Sequence, residues 1–150
     1  MMYPDYNADS MRTATALAAL LLAAAPLGPA GCGAGSGDNA PPAGLQPTLA
    51  SIQDNVFTVT CAVSNCHGGA GAQYGLRLDP GFSAGNLINV PSPRDSNLIR
   101  VVPGDPDASF LIQKLQGTQT LGNRMPDGGP YLTTATVNVI RQWIQDGAPQ

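Results

Sequence analysis

The amino-acid sequence predicts an all-α protein with short helices and long loops. The clearest predicted element is a C-terminal amphipathic helix, whose apolar face carries Val137, Ile140, Trp143 and Ile144. Shorter segments earlier in the chain repeat the same spacing of three and four residues between apolar positions, which is the period of a helix. The chain has 18 glycines and 14 prolines among 150 residues, and this content predicts many loops and keeps each helix short.

The first half of the folded region is predicted to contain two helices. The first covers about 48–57, because Thr48 is a suitable N-cap and apolar residues follow it at helical spacing, namely Leu49, Ile52 and Val56. Residues 75–79 alternate between apolar and polar and are expected to be extended. A short second helix is predicted over 82–89, and the stretch 94–102 is expected to be irregular.

The second half is predicted to contain two further helices. The third covers 107–115, where Ser109 is one candidate N-cap. After a long loop, the last helix begins at Thr133 or Thr134 as N-cap and ends before Gly147. No internal repeat is visible, so these helices belong to one small domain.

The first 32 residues are predicted to be an export leader. Residues 1–10 are polar and carry Asp5 and Asp9, which a secretory leader does not need. From Met11 the pattern changes to one arginine, an apolar run over 14–25, and an exit rich in small residues that ends at Cys32. This order is typical of a signal peptide rather than a membrane span, which indicates that Met11 is the true start.

Cys32 stands where a bacterial lipoprotein is cleaved and lipidated. Two small residues precede it, although Pro29 takes the place of the usual leucine. Residues 33–46 are predicted to form a flexible linker, and the folded domain is predicted over 47–150. We therefore expect an exported protein of a Gram-negative-type bacterium, either periplasmic or anchored to the membrane through a lipid on Cys32. Secretion without a lipid is the alternative.

One stretch of the mature chain concentrates its reactive side chains: Cys61-Ala-Val-Ser-Asn-Cys66-His67. Two cysteines followed at once by a histidine is the arrangement through which proteins hold haem covalently, because each thiol adds to one vinyl group and the imidazole ligates the iron. Four residues separate the cysteines here, where two are usual. Beyond the leader, His67 is the only histidine and Met125 the only methionine. These residues form the complete set for a His/Met-ligated c-type haem.

The net charge and the placement of the acidic residues argue against nucleic-acid binding, binding to anionic lipid and acid–base catalysis. The net charge is −3, and the seven basic residues are scattered singly, so the chain lacks the basic stripe that nucleic acid or anionic lipid would require. Asp79, Asp105 and Asp107 lie at predicted turns and caps rather than in pairs suited to acid–base catalysis. These features argue against a nucleic-acid-binding protein and against an enzyme that uses paired carboxylates.

Further motifs follow in order along the mature chain: Gly75-Leu-Arg-Leu-Asp79, Val102-Pro-Gly-Asp-Pro106, Arg124-Met-Pro126 and Ile140-Arg-Gln-Trp-Ile-Gln-Asp-Gly-Ala148. Together with the cysteine and histidine motif, this series resembles the class I-type cytochrome c domains abundant in planctomycetes and myxobacteria, including the planctomycete cytochrome C modules. The resemblance covers the chain from about Leu45 to its C-terminus.

This resemblance implies a small cytochrome c-like helical domain with long Gly/Pro-rich loops around one covalent haem c. Cys61 and Cys66 would form the two thioethers, His67 would be the proximal ligand of the iron, and Met125 would be the distal ligand. The resemblance also implies a carrier of single electrons that docks with redox partner proteins, either alone or as a subunit of a larger redox complex.

The same residues allow other interpretations. Cys61 and Cys66 can form a local disulfide, which would make the protein a haem-free, stapled binding or structural domain. Met125 can simply fill a gap in the core; if it does not reach the iron, the haem would bind a small molecule instead. Arg77 and Arg124 are either partners of the haem propionates or solvated surface residues. A zinc site would need another Cys or His ligand, which the mature chain lacks.

Overall fold

A computed structural model describes residues 40–150 of the chain. The predicted signal peptide, the lipidation site at Cys32 and the linker as far as residue 39 lie outside the described residues. The elements follow in the order α1 (Leu49–Ile52), a π-helical segment (Gln53–Cys61), a 3₁₀ turn (Gln73–Gly75), α2 (Ser83–Leu87), β1 (Pro91–Ser92), β2 (Asp95–Ile99), α3 (Phe110–Gln116) and α4 (Thr134–Gln145). None of the helices in this part of the chain combines the length and apolarity needed to cross a bilayer.

The predicted all-α fold class is wrong, because the domain contains a small antiparallel sheet. Helices account for 36 % of the described residues and strand structure for 10 %. The strands β1 and β2 pair as a hairpin in which Pro91 lies opposite Ile99. Beyond the hairpin, Ile88 and Val101 form an isolated bridge of the parallel kind. The domain is therefore a mixed α/β fold.

The hairpin escapes sequence-based prediction because β2 is largely polar. Its first three residues are Asp-Ser-Asn, so the stretch 94–102 lacks the apolar alternation that marks a half-buried strand. The position of β2 is fixed instead by pairing with β1 and by backbone hydrogen bonds from the two residues that follow it. The Arg100 N–H donates to the Val90 carbonyl at 2.8 Å, and the Val101 N–H donates to the Leu87 carbonyl at 3.0 Å. Strand formation here follows from tertiary context rather than from local propensity.

The first predicted helix is confirmed, and it extends beyond its predicted end at residue 57. The Thr48 hydroxyl caps α1 by accepting a hydrogen bond from the Ser51 N–H at 3.2 Å. The helix then widens into π-helical turns from Gln53 to Cys61. Such turns are rare and occur mostly near functional sites. Here they carry the chain directly to the first cysteine of the motif.

The two middle helices form where predicted, but α2 is shorter than the predicted 82–89. Ser109 occupies the N-cap position of α3, yet its hydroxyl makes no hydrogen bond to the helix. Its Oγ instead accepts from the Val102 N–H at 2.9 Å and donates to the Asp105 carbonyl at 2.8 Å. The fully buried hydroxyl therefore joins the start of α3 to the preceding turn.

The last helix, α4, supplies much of the core. The Thr133 hydroxyl caps it by accepting from the Thr136 N–H at 3.1 Å. Its predicted apolar face is confirmed, since four of its side chains are buried: Val137, Ile140, Trp143 and Ile144. They pack in one cluster with residues of the first helix and of α3, including Ile52, Val56, Phe57, Ile112 and Leu115. The chain leaves α4 through Gly147, whose φ of 93° favours glycine.

Replacing Trp143 by alanine is expected to lower the free energy of unfolding by about 3–5 kcal/mol. The indole is fully buried, and its Nε1–H donates to the Pro149 carbonyl at 2.9 Å. Urea unfolding followed by circular dichroism measures the change. The control Gln142→Ala alters an exposed neighbour and is expected to stay within about 0.5 kcal/mol. Equal effects of the two substitutions would contradict the core position of Trp143.

Candidate functional site

A cavity of about 390 Å³ lies inside the described domain, within the range of roughly 300–1,000 Å³ that small-molecule and cofactor sites occupy. All four predicted site residues line it, namely Cys61, Cys66, His67 and Met125. Its wall is mostly apolar, and several of its side chains also belong to the hydrophobic core, including Leu78, Leu87 and Leu115. The fold thus brings the motif and the methionine loop to one mostly apolar cavity that is partly open to solvent.

The imidazole of His67 is oriented by a backbone carbonyl. Its Nδ1 lies 3.1 Å from the Leu76 carbonyl oxygen, and because a carbonyl only accepts, Nδ1 carries the proton in this bond. Nε2 is then left with a lone pair, which is the form in which an imidazole ligates a metal. Burial lowers the pKa of His67 below its ordinary value of 6.5, which favours this neutral form.

The two cysteines differ in exposure. Cys61 ends the π-helical segment and is half-buried, whereas Cys66 is exposed in the loop that follows. The two sulfur atoms are not bonded to each other. Burial, and then the neighbouring Cys66, raises the pKa of the Cys61 thiol to about 12. Cys61 therefore remains a protonated thiol in neutral solution, while solvent can reach Cys66 directly.

A tight turn accommodates the two extra residues between the cysteines. The Cys66 and Gly68 N–H groups both donate to the Val63 carbonyl, at 3.1 and 3.3 Å. Asn65 adopts a left-handed conformation with a φ of 66°, which asparagine tolerates better than most residues. Gly68 passes so close to the start of the turn that a Cβ atom on it would overlap the Ala62 carbonyl oxygen. The wide spacing of the cysteines therefore depends on a glycine directly after the histidine.

Met125 is presented by the loop between α3 and α4, and one residue of α3 holds that loop at three points. The Met125 N–H donates to the Lys114 carbonyl at 2.9 Å. The Lys114 Nζ donates to the Leu121 carbonyl at 2.9 Å and to the Asn123 carbonyl at 2.7 Å. The Met125 side chain packs half-buried against the core and lines the cavity. Its position is therefore set by α3.

Three cationic side chains line the cavity: Arg94, Arg100 and Lys114. Within residues 40–150, none of the three forms an ion pair with a carboxylate, and Asp127 is the only acidic residue in the cavity wall. Burial lowers the pKa of both Arg100 and Lys114, and their N–H groups donate to backbone carbonyls rather than to carboxylates. Cations without carboxylate partners beside an apolar space favour a ligand with an apolar body and acidic groups.

The two arginines that the sequence suggested as propionate partners do not line the cavity. Arg77 pairs with Asp79 at 2.6 Å and lies over the Phe82 ring at 3.5 Å. Arg124 lies over the Tyr131 ring at 4.1 Å. Sequence reasoning also missed the three cations that do line it, because no local motif distinguishes them from other scattered basic residues. Only the hairpin and α3 bring them to the cavity.

The residues present fit a covalently bound haem. The donor set comprises two thiols, an imidazole with its Nε2 free and one methionine sulfur, around a space that is mostly apolar. Within the described range, no group of three or more His, Cys, Asp or Glu side chains lies together. Haem iron needs only two axial ligands from the protein, and these are available here.

Gly68→Ala is expected to lower the free energy of unfolding of the haem-free protein by about 1–3 kcal/mol, because the added methyl group overlaps backbone that cannot move freely. Gly71→Ala is a matched control three residues along, since a Cβ atom there meets nothing within 4 Å. Urea unfolding of both variants measures the difference. Equal stability of the two variants would mean that the turn does not need the close approach at Gly68.

In the haem-free protein, an alkylating reagent at mildly alkaline pH is expected to modify Cys66 well before Cys61. Cys61 is half-buried and its pKa is raised to about 12, so its reactive thiolate is scarce until the pH approaches that value. Peptide mass spectrometry after timed quenching measures both rates. Unfolding in urea serves as the control and is expected to equalise them. Equal rates in the folded protein would contradict the burial of Cys61.

Comparisons of the chain with protein-family models, with curated proteins and with solved structures found no match in any of the three. The cavity itself therefore carries the functional inference. Its defining features are three sulfur-containing side chains and one imidazole, an apolar wall and three cations at its border.

Proposed function

We propose that this protein is a c-type cytochrome, an electron carrier that holds one haem through Cys61 and Cys66 and ligates its iron with His67 and Met125. The observation that carries the proposal is that these four residues line one mostly apolar cavity, although they span positions 61 to 125 of the sequence. No other cysteine, histidine or methionine occurs beyond residue 32, so the mature chain places every such residue it has at this cavity.

The hydrogen bond of His67 supports the role of iron ligand. Metal-ligating histidines commonly donate their second ring N–H to a carbonyl or carboxylate, which fixes the tautomer and the ring orientation. The Leu76 carbonyl lies in position to accept such a bond at 3.1 Å. The neutral state that burial favours is also the state that ligation requires.

The cations of the cavity support haem rather than a neutral apolar ligand. Haem is a large, mainly apolar ring with two carboxylate-bearing propionates. The positive charges of Arg94, Arg100 and Lys114 have no carboxylate partner within the described part of the chain and would attract those carboxylates. Arg100 is buried and Lys114 half-buried, so water would screen their charges less than that of the exposed Arg94.

When bound, haem c would supply an iron centre that accepts and releases a single electron. The residues of the chain would do the rest. The two thioethers would keep the cofactor in place outside the cytoplasm, and the apolar wall would limit the access of water to it. Sulfur from Met125, in place of a second imidazole, would favour the reduced iron and raise the potential. These roles require no substrate site, so we propose a carrier rather than an enzyme.

The border of the cavity suggests where electrons would enter and leave. Val63 and Tyr74 line the cavity and are 42 % and 57 % exposed. A cofactor edge beside them would be reachable by a redox partner protein without direct coordination to the iron. We further propose that the domain acts outside the cytoplasm, where haem is attached covalently, tethered by the linker and a lipid on Cys32.

The first test is a pyridine haemochrome spectrum of the exported protein after acid–acetone extraction, together with its intact mass. The proposal expects a c-type spectrum that resists extraction and a mass raised by one haem. Cys61→Ser with Cys66→Ser provides the matched control, which is expected to lose its colour on extraction. A colourless wild-type protein, two hydrogen masses lighter than its reduced chain, would overturn the proposal and indicate a Cys61–Cys66 disulfide.

Met125→Ala is expected to lower the midpoint potential by on the order of tenths of a volt, a fraction of the roughly 0.8 V range over which axial ligands tune haem. It should also let carbon monoxide bind the reduced protein, because the sixth position of the iron is opened. Leu121→Ala is the control, since it alters the same loop and the same cavity. If Met125→Ala changes neither the potential nor ligand binding, Met125 is not the distal ligand.

A further inference from the structure

The carbonyl group that orients His67 belongs to an unusual turn. Tyr74 and Gly75 adopt consecutive left-handed conformations, with φ values of 55° and 61°. A left-handed conformation strains a bulky residue such as tyrosine, and it persists only where surrounding contacts hold it. The turn ends at Leu76, whose carbonyl oxygen lies 3.1 Å from the Nδ1 of His67. Whatever holds this turn therefore also holds the imidazole.

The turn is held partly by its own backbone, since the Gly75 N–H donates to the Ala72 carbonyl and the Leu76 N–H to the Gln73 carbonyl, both at 3.1 Å. The side chain that donates to its carbonyl groups is that of Arg100. Its Nη2 donates to the Tyr74 carbonyl at 2.8 Å, and its Nη1 donates to the Asn86 carbonyl at 2.8 Å. The same Nη1 lies 3.5 Å from the Gly75 carbonyl. The planar guanidinium thus joins the strained turn to α2, because its two Nη groups donate to carbonyl groups of two separate segments.

Arg100 is itself firmly placed. It is buried, with only 7 % of its surface exposed. Its N–H donates to the Val90 carbonyl at 2.8 Å, and its carbonyl accepts from the Leu111 N–H at 2.9 Å. These bonds tie its backbone to the hairpin region on one side and to the start of α3 on the other. Because its backbone is held by these hydrogen bonds and its guanidinium is planar and rigid, Arg100 can hold the turn in place.

We infer that Arg100 is a positioning residue for His67. By holding the Tyr74–Leu76 turn in its left-handed form, Arg100 directs the Leu76 carbonyl at the imidazole and selects the tautomer with the proton on Nδ1. With the proton on Nδ1, Nε2 keeps the lone pair with which an imidazole binds a metal. The role of His67 as iron ligand rests on the proposed function, but the tautomer is a property of the chain alone.

The planar geometry of the Arg100 guanidinium, rather than its charge, holds the turn. A lysine at position 100 would keep the positive charge, but its single ammonium group cannot reproduce a planar pair of arms that reaches two segments. Arg94 offers a charge control, because it lines the same cavity and makes no hydrogen bond to the backbone of residues 74–76. Its guanidinium lies 5.5 Å from the centre of the Tyr74 ring, so it neighbours the turn without bonding to the carbonyl groups that Arg100 holds. The comparison of Arg100→Lys with Arg94→Gln therefore separates geometry from charge.

The test is heteronuclear NMR of the haem-free protein with isotope-labelled histidine and arginine, in which His67 is the only ring observed once the leader is removed. The wild type is expected to hold its proton on Nδ1, and the Nη groups of Arg100 are expected to give separate resonances because their rotation is restrained. In Arg100→Lys, the population protonated on Nε2 is expected to rise several-fold. In Arg94→Gln it should not change.

Three outcomes would overturn the inference. The first is a wild-type His67 that carries its proton mainly on Nε2, and the second is an Arg100 whose Nη resonances are averaged by free rotation. Neither of these two measurements depends on a variant that folds. The third is a folded Arg100→Lys protein with an unchanged tautomer. These results are independent of haem loading. A protein that never takes up haem but shows the expected tautomer would refute the proposed function and leave the positioning role intact.

Discussion

The two loops that bear the candidate iron ligands lie outside regular secondary structure, so their carbonyl groups must find hydrogen-bond donors elsewhere. Buried or half-buried cations supply those donors. Arg100 donates to the Tyr74 carbonyl on the His67 side, and Lys114 donates to the Leu121 and Asn123 carbonyls on the Met125 side. Because both cations also line the cavity, the same side chains shape the loops and set the charge that faces a ligand.

This arrangement links the cavity to the core. One face of α3 packs in the core through Ile112 and Leu115, while Lys114 on the same helix holds the methionine loop. The core contains few large aromatic side chains, since the whole chain has one tryptophan and three phenylalanines. The cavity wall shares leucines with that core. A haem in the cavity would therefore extend the apolar interior of the protein as well as serve as its redox centre.

Local patterns predicted the helices well and the hairpin not at all. The caps at Thr48 and Thr133 and the apolar face of α4 depend on neighbours within one or two helical turns, so residue order is sufficient to predict them. The polar strand β2 forms because the two residues that follow it, Arg100 and Val101, make backbone hydrogen bonds near α2. The local sequence contains no pattern that predicts those bonds. For the same reason, the sequence could not decide whether Arg77 and Arg124 face a ligand or solvent, and neither lines the cavity.

The sequence by itself determined the chemical inventory of the site: two thiols, one imidazole and one methionine sulfur beyond the leader, with a glycine directly after the histidine. The identities of these residues and their spacing along the chain are sufficient to predict which groups the site contains. Only the tertiary structure decided that these groups share one apolar cavity, that Leu76 orients His67, and that three cations border the space. Those features arise from hydrogen bonds and packing between segments far apart in the chain, whose geometry exists only once the chain has folded.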